Sequence, residues 1–257
     1  MNDWRISTIN KEFKFCETYP KLLVVPDQVS DEKLREIGEF RSKHRIPVVS
    51  WIKYDNKTFR AALLRSSQPL VGLNKKRSDA DESYLTTLFT LNSNNSLDKL
   101  FIVDARPLVN AIANRGNGGG YELEDYYKKC ELQFLNIQNI HIMRESLRKV
   151  HEMALPSNTA SSSSSNTNSQ TPNANVSSNS NKNNNNMASD DKNYLINLEN
   201  SKWLEHIKLV LNGALKIVRY ITQHRASVLV HCSDGWDRTA QVKHLTKMKL
   251  KFIVINY

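Results

Sequence analysis

The sequence predicts an α/β fold in which a central sheet is flanked by helices. Strand and helix patterns alternate along most of the 257 residues, as in proteins whose parallel strands are joined by helical crossovers. The last strand pattern, at 227–231 (SVLVH), runs directly into CSDGWDRT and the start of a helix. A strand that leads into a short loop and a helix N-terminus is an arrangement that α/β proteins use for binding sites.

The N-terminal half predicts helices and strands in turn. Ser30 can cap a helix, because Asp31 and Glu32 lie in its first turn and apolar side chains recur on one face. After Pro47, residues 48–52 (VVSWI) are rich in β-branched residues and predict a strand. The other elements of this half are an apolar run at 61–64, a helix at 81–91 and a buried strand at 100–104 that ends on Asp104.

The C-terminal half continues the alternation. Residues 134–137 (FLNI) predict a strand, and 141–150 predict a helix with a basic C-terminal half. Apolar residues recur at helical spacing from Trp203 to Ile221, over about six turns. This helix leads into the strand at 227–231.

One segment, at about 156–191, is dominated by Ser and Asn and has almost no apolar residues. Such a composition cannot bury enough surface to offset its ordering entropy, so we predict a disordered insert. Because the strongest motif comes after it, we interpret the whole chain, 1–257, as one domain that the insert interrupts.

Composition narrows the functional classes. The net charge of +10 favours a polyanionic partner, such as an anionic lipid surface or a phosphorylated substrate. The sequence contains no RNP-like motif and no helix with evenly spaced basic residues, so we expect no nucleic-acid partner. Three separated cysteines argue against disulfides or structural zinc. With neither a signal peptide nor a long apolar stretch, a soluble cytoplasmic protein is expected.

The segment at 231–239, HCSDGWDRT, carries the chemistry. Cys232 stands at the end of the strand, Gly235 lies midway along the loop, and Arg238 follows where a helix can start. A loop of this length can direct successive backbone N–H groups at one anion, and the same field lowers the pKa of a cysteine placed there. An arginine can then hold two phosphate oxygens. The pattern predicts a phosphate-ester hydrolase with Cys232 as nucleophile.

Two aspartates compete for the role of proton donor to the leaving oxygen. Asp237 lies inside the loop, and its alternative role is a salt bridge or a hydrogen bond that shapes the loop. Asp104 ends a strand, and its favoured role is to orient Arg106. Thr239 is expected to donate a hydrogen bond to the Cys232 thiolate or to cap the helix. Metal ligands and other cofactors are not expected.

HCSDGWDRT closely resembles the active-site loop of the myotubularin phosphoinositide phosphatases, and the resemblance covers nearly the whole chain. Further segments that carry it are WRIS at 4–7, FRSKHRIPVVSW at 40–51, SQPLVG at 67–72, IVDARP at 102–107, NAIAN at 110–114, GGGYE at 118–122 and NIHIMRESLRK at 139–149. The resemblance implies a protein-tyrosine-phosphatase-like fold. After Thr239 the sequence soon departs from the family pattern, so the domain is expected to be incomplete at its C-terminus.

The resemblance also implies the reaction. It is hydrolysis of the D3 phosphate of phosphatidylinositol 3-phosphate and phosphatidylinositol 3,5-bisphosphate, through a phosphocysteine at Cys232, with Arg238 on the phosphate and Asp237 as acid. The substrate-binding residues implied are Asn114, Asn139, Ile140, Ser233, Asp234, Gly235, Trp236 and Thr239. Peripheral contact with anionic endosomal membranes and homo- or hetero-oligomers with related phosphatases are implied too. The alternatives are an inactive chain that only binds partners and a protein-tyrosine or dual-specificity phosphatase.

Overall fold

The computed structural model of the chain describes residues 3–55, 58–92, 99–155 and 183–255. Its elements are, in chain order, β1 (Trp4–Ser7), β2 (Leu23–Pro26), α1 (Asp31–Phe40), β3 (Val48–Asp55), β4 (Thr58–Arg65), α2 (Asp79–Leu91), β5 (Leu100–Asp104), α3 (Leu108–Asn114), β6 (Cys130–Phe134), α4 (Ile140–Ala154), α5 (Asn183–Ser201), α6 (Trp203–Thr222), β7 (Val228–His231) and α7 (Arg238–Ile255). Two compact units form. One unit is Met1–Ile140 with Ile207–Tyr257, which contains both sheets, and the other is His141–His206, whose described part consists of helices.

The main sheet has five strands in the order β3-β4-β7-β5-β6. β3 pairs with β4 in the antiparallel sense, whereas β4, β7, β5 and β6 are mutually parallel. Strand β7 therefore lies at the centre, although it is the last strand in the chain. The carboxyl ends of the four parallel strands meet at one edge, and the Cys232 loop leaves from the middle of that edge.

Both faces of the sheet are covered, which explains the continuous apolar strands. Leu64, Ile102 and Leu229 belong to one buried cluster with residues of α1 and α2. On the opposite face the ring of Phe101 stacks on Tyr220 of α6, with 3.8 Å between ring centroids. Helices thus flank a central sheet, and the predicted fold class is confirmed.

Helix α1 begins where its capping signal predicted. The Ser30 side chain accepts a hydrogen bond from the Lys33 amide, and Asp31 and Glu32 occupy the first turn. Leu34 and Ile37 are completely buried, so the predicted apolar face is the one that packs. The helix ends at Phe40, and the next residue, Arg41, is buried as well.

The predicted strand at 134–137 is wrong for all but its first residue. The strand is Cys130–Phe134, because β6 pairs with β5 from Leu100↔Cys130 to Asp104↔Phe134. Beyond it, Asn136 has a positive φ of 58°, which interrupts the extended backbone. The apolar pattern of FLNI reflects the burial of Leu135 and Ile137 after the strand. Pairing with a neighbouring strand decided the boundary.

The helical unit includes the last part of the predicted insert. Residues 156–182 lie outside the described residues, so the disordered insert stays a prediction there, and α5, which begins at Asn183, includes positions 183–191 of the predicted segment. Within this unit Ser146 Oγ donates to the Ser201 carbonyl over 2.6 Å, which ties α4 to the end of α5. The sequence also missed the short elements β1, β2 and α3. Among the described residues, no helix has the length and apolar character needed to span a bilayer.

Candidate active site

The Cys232 loop connects β7 to α7 and is pressed against the segment after β4. Cys232 is buried, and Arg238 is the first residue of α7. Gly235 has a φ of +77°, and a Cβ atom at this position would lie 2.1 Å from the Ser66 carbonyl oxygen. Only glycine tolerates both the left-handed backbone and this approach. The loop can therefore follow its path only with glycine at 235.

Neighbouring groups hold the loop by its carbonyl oxygens. The backbone N–H of Gln68 donates to the Ser233 carbonyl over 2.9 Å. The Gly235 carbonyl accepts from Arg65 Nη2 at 2.6 Å and from Arg45 Nη2 at 3.2 Å. In the part of the chain that the structure describes, no acceptor is bonded to the amide N–H groups of residues 233–237. Tethered carbonyls and unbonded amides on one short loop are the features of an anion-binding nest.

The arginine of the motif is positioned by the loop after β6. Arg238 is buried, and its Nε donates to the Ile137 carbonyl over 3.0 Å. This bond fixes one edge of the guanidinium and leaves the Nη groups for an anion. Thr239 is also buried, but its hydroxyl has no hydrogen-bond partner among the described residues. The expected hydrogen bond from Thr239 to the Cys232 sulfur is therefore not formed.

The two competing aspartates lie in different surroundings. Asp104 is completely buried and paired with Arg106, whose Nη2 lies 2.6 Å from Asp104 Oδ2. The structure thus confirms that Asp104 orients Arg106. Asp237 is exposed, and within the described ranges its carboxylate has neither a hydrogen-bond nor an ion-pair partner. Its carboxyl group is free to approach a ligand in the loop.

The remaining residues implied as substrate contacts are distributed around the loop. Asn114, at the end of α3, donates to Ser233 Oγ over 3.0 Å, so the structure brings this residue to the loop. The Asp234 carboxylate already has a partner within the protein, because its Oδ1 accepts a hydrogen bond of 2.8 Å from Ser42 Oγ. Trp236 is 40% exposed, and its ring lies 5.8 Å from the Arg45 guanidinium carbon.

Asn139 and Ile140 follow the loop after β6. They lie just beyond Ile137, whose carbonyl holds Arg238. Asn139 is half-buried and Ile140 is exposed at the first position of α4. Their place in the chain thus puts them next to the segment that anchors the motif arginine.

Sequence reasoning missed Gln68, which joins three segments of the site. Its Oε1 accepts from Arg106 Nη1 at 2.5 Å, from Asn114 Nδ2 at 3.3 Å and from the Gly120 amide at 3.2 Å. The backbone N–H of Gln68 also donates to the Ser233 carbonyl. Gln68 therefore links the Cys232 loop to α3 and to the glycine-rich segment. Its signal was available, since polar residues that directly follow a parallel strand gather at one edge of the sheet.

A second group that the sequence did not indicate is a buried network of charges behind His231. Glu122 Oε1 lies 2.6 Å from Arg41 Nη1, and Arg41 binds Asp81 through two nitrogens at 2.6 and 2.7 Å. Tyr127 donates to Asp81 over 2.8 Å. All of these side chains lie in the interior, so each charge depends on its partners for stabilisation.

The network sets the charge of His231 and Glu122. Burial would lower the pKa of His231, but the carboxylates of Glu122 and Asp104 outweigh it and raise this pKa above its usual value. Burial would likewise raise the pKa of Glu122, yet the charges of His231 and Arg41 hold it well below the usual range. These carboxylates therefore favour the protonated form of His231, the residue that precedes Cys232 in the chain.

The other cysteines have no comparable surroundings. Burial raises the pKa of the Cys130 thiol, and Cys16 is enclosed in the apolar core. Across the described residues, no group of three or more His, Cys, Asp or Glu side chains is arranged to hold a metal ion.

The sheet, the central strand β7 and the loop from Cys232 to Arg238 define the fold of the cysteine phosphatases. Residues 1–252 match the family model of the myotubularin-like phosphatase domain, and the chain belongs to that family. It is 46% identical to myotubularin of Rattus norvegicus over 247 residues, which cover 96% of this chain and 35% of that protein.

Other relatives give the same picture. Identity is 44% over 249 residues to myotubularin of Xenopus laevis, with 97% of this chain and 35% of the relative covered. The chain is 45% identical to the phosphatidylinositol-3,5-bisphosphate 3-phosphatase MTMR2 of Mus musculus over 247 residues, which cover 96% of this chain and 33% of that protein. The chain thus spans about a third of the length of these curated relatives.

Proposed function

We propose that this chain hydrolyses the D3 phosphate of phosphatidylinositol 3-phosphate and phosphatidylinositol 3,5-bisphosphate through a phosphocysteine. The observation that carries the proposal is the Cys232 loop, whose amides at 233–237 are unbonded within the described chain while its carbonyls are tethered. A phosphate monoester is the dianion that such a nest suits. The name of the MTMR2 relative supports the choice of lipid.

The first step transfers the phosphoryl group to sulfur. The Cys232 thiolate attacks phosphorus, an S–P bond forms, and the bond from phosphorus to the D3 oxygen breaks. Asp237 gives its proton to the departing D3 oxygen, so this oxygen leaves as a hydroxyl group and not as an alkoxide. Arg238 and the amides of 233–237 hold the three non-bridging oxygens as their charge redistributes.

The second step restores the enzyme. Asp237, now a carboxylate, takes a proton from a water molecule that attacks phosphorus. The S–P bond breaks, inorganic phosphate is released, and Cys232 returns to the thiolate. The buried Thr239 hydroxyl has no partner in the described structure and follows Arg238 in the chain, so it would serve as a further donor to an oxygen of the bound phosphate.

The inositol ring would be held by the residues around the loop. Asn114 and Ser233 already contact each other, and Trp236 is exposed three residues further along the loop. Asn139 and Ile140 would contribute from the segment that follows Ile137. Asp234 would act with Ser42, which binds it in the free protein. Gly235 would contribute its amide N–H.

The setting of this reaction is part of the proposal. A net charge of +10 suits an anionic membrane surface. On the resemblance to the family, we propose a cytoplasmic location with peripheral contact to endosomal membranes. Assembly with itself or with related phosphatases is proposed on the resemblance to the family alone.

The test is phosphate release from a short-chain, soluble phosphatidylinositol 3-phosphate, with a phosphotyrosine peptide and the 5-phosphate isomer in parallel. Cys232→Ser is the catalytic variant and Cys130→Ser is its matched control, since Cys130 is a free cysteine outside the loop. We expect release from the 3-phosphate alone, abolished by Cys232→Ser and retained by Cys130→Ser. Acid quenching should trap phosphate on the wild-type protein.

Other results identify the alternatives. Preference for the phosphotyrosine peptide would replace the lipid phosphatase with a protein phosphatase. No release from any substrate by folded protein would mean that this chain is inactive on its own and acts at most as a binding partner.

A further inference from the structure

Helix α3 has an exposed apolar side next to the Cys232 loop. Val109 is 70% exposed, and Leu108 and Ile112 are also solvent-accessible. The spacing of 108, 109 and 112 places the three side chains on one side of the helix. The opposite side is anchored, since Ala111 is completely buried and Asn114 binds Ser233. Single exposed apolar residues are common on protein surfaces, whereas a contiguous apolar patch marks a site of interaction. The three side chains of α3 form such a patch beside the candidate active site.

A basic loop is fastened to the residue that follows the C-terminal end of α3. Arg115 Nε donates to the Gly72 carbonyl over 3.2 Å, and the Gly72 amide donates to the Gly119 carbonyl over 2.8 Å. Gly72 is followed by Leu73, which is 72% exposed, and then by the exposed residues Lys75 and Lys76. We call the set Leu73, Lys75, Lys76, Leu108, Val109 and Ile112 the α3 rim.

The topology places the α3 rim on the side where the candidate site opens. The Cys232 loop follows β7, α3 follows β5, and the segment that reaches Leu73 follows β4. These three strands are neighbours and parallel, so their carboxyl ends share one edge. A ligand that enters the loop approaches from this edge.

The charge of the rim is of one sign. Residues 72–77 (GLNKKR) and 108–115 (LVNAIANR) contain no acidic side chain. Lys75 and Lys76 have no carboxylate within ion-pair distance in the described chain, whereas Arg77 is paired with Glu82. Unpaired ammonium groups around exposed aliphatic side chains complement a surface that offers phosphates above hydrocarbon.

We propose that the α3 rim docks this chain on a bilayer that contains anionic lipid, with Val109 and Ile112 entering the acyl boundary and Lys75 and Lys76 at the headgroup phosphates. The proposal rests on the proposed function, since a phosphatase that reaches a D3 phosphate works at the height of the headgroups. Docking by the rim brings the edge that carries the Cys232 loop to this height.

The experiment measures binding and hydrolysis separately. Partition of the full chain is followed by co-sedimentation with vesicles of phosphatidylcholine alone and with added phosphatidylserine. Phosphate release is measured from soluble short-chain phosphatidylinositol 3-phosphate and from the long-chain lipid in the same vesicles. The variants are Val109→Glu, Ile112→Glu and the pair Lys75→Gln with Lys76→Gln. The matched control is Ile6→Glu, which adds the same charge at a residue of β1 that is 63% exposed.

We expect each rim glutamate to reduce partition into the serine-lipid vesicles by about tenfold, from lost insertion of one aliphatic side chain. The pair Lys75→Gln with Lys76→Gln should reduce partition by about fivefold for each lysine removed, and only into vesicles that contain anionic lipid. Ile6→Glu should change partition by less than twofold. Release from the soluble substrate should stay at the wild-type level in all rim variants, while release from vesicles falls with binding.

Several results would overturn the proposal. Equal losses from Ile6→Glu and Val109→Glu would show that added charge and not the rim matters. Unchanged vesicle binding in the rim variants would assign α3 to contact with another protein segment. If a rim variant reduces phosphate release from the soluble substrate as much as from the vesicle substrate, the rim residues support the fold or the candidate site and not membrane docking. Partition into serine-lipid vesicles needs no turnover, so failure of the proposed enzyme activity would be seen separately.

Discussion

Glu122 Oε2 lies 3.0 Å from Nε2 of His231, and both side chains are buried. His231 directly precedes the candidate nucleophile Cys232 in the chain. Through this contact the strand that ends at Cys232 is connected to Arg41 at the end of α1 and to Asp81 in α2. Charges that are paired in the interior depend strongly on every member of the network. The candidate site is therefore mechanically and electrostatically linked to residues far from it in sequence.

Replacing Glu122 by Gln should change both the stability and its pH dependence. The folded pKa of His231 is raised, so its contribution to stability is complete below about pH 6.5 and is lost as the pH rises through the folded value. We expect the wild-type free energy of unfolding to decline across that interval and the variant to lack the decline. The variant should be less stable by about 3 kcal/mol or more at pH 6.

Urea unfolding from pH 5.5 to pH 8.5 measures this effect. Glu124→Gln is the control, because Glu124 is exposed in the same segment and should leave the profile unchanged. An unaltered slope in Glu122→Gln would assign the pH dependence to another group.

Gly235→Ala should disable the candidate site. The new Cβ would lie 2.1 Å from the Ser66 carbonyl oxygen in a residue whose φ is +77°. The loop must shift to relieve this contact, and displacement of a reacting group by about 1 Å can slow turnover by about 100-fold. Release of phosphate from the soluble lipid measures the loss. Gly116→Ala should not change turnover, since within the described residues no atom other than those of its chain neighbours lies within 4 Å of a Cβ there. Wild-type turnover by Gly235→Ala would contradict the rigid-loop description.

Lys243→Met should stabilise the fold. Burial, together with the charges of Arg65, Lys247 and Arg45, lowers the pKa of Lys243 from 10.5 to about 8. In this interval the unfolded chain binds more protons, so the stability of the wild type should rise from pH 8 to pH 10.5. Replacing the lysine removes a buried like charge and should add about 1 kcal/mol at pH 7, because solvent screens part of the repulsion.

Chemical unfolding at pH 7 and at pH 9.5 would detect the difference. Lys249→Met, on the exposed side of α7, is the matched control. If Lys243→Met destabilises the protein at both pH values, its aliphatic stem contributes more than its charge costs.

Asp237→Asn should affect substrates according to their leaving groups. An inositol oxygen needs a proton as it departs, so turnover of the lipid should fall by about 100-fold or more. A nitrophenyl phosphate leaves as a stable phenolate, and its turnover should fall much less. Steady-state rates of both substrates across pH 5–8 give the comparison, with the exposed Asp125→Asn as control. Equal losses on the two substrates would remove Asp237 from the role of acid.

Local patterns were good predictors of single elements. Ser30 marked the start of α1, and the apolar runs at 100–104 and 227–231 marked two central strands, because burial on both faces demands continuous hydrophobic residues. The end of β6 could not be predicted in this way, since the register with β5 decides it. Short elements such as α3 carry too few residues for a periodic pattern.

The chemistry of the candidate site was visible in the sequence by itself, because Cys232, Gly235 and Arg238 are neighbours along the chain. A short loop between a strand and a helix needs only local spacing to bring these groups together. The groups that hold the loop are a different matter. Ser42, Arg45 and Arg65 reach it from 192, 190 and 170 residues away, and Glu122 lies 109 residues from His231. Only the order and register of the paired strands bring such distant side chains within hydrogen-bond distance. These contacts were therefore determined by the tertiary structure and could not be predicted from local sequence.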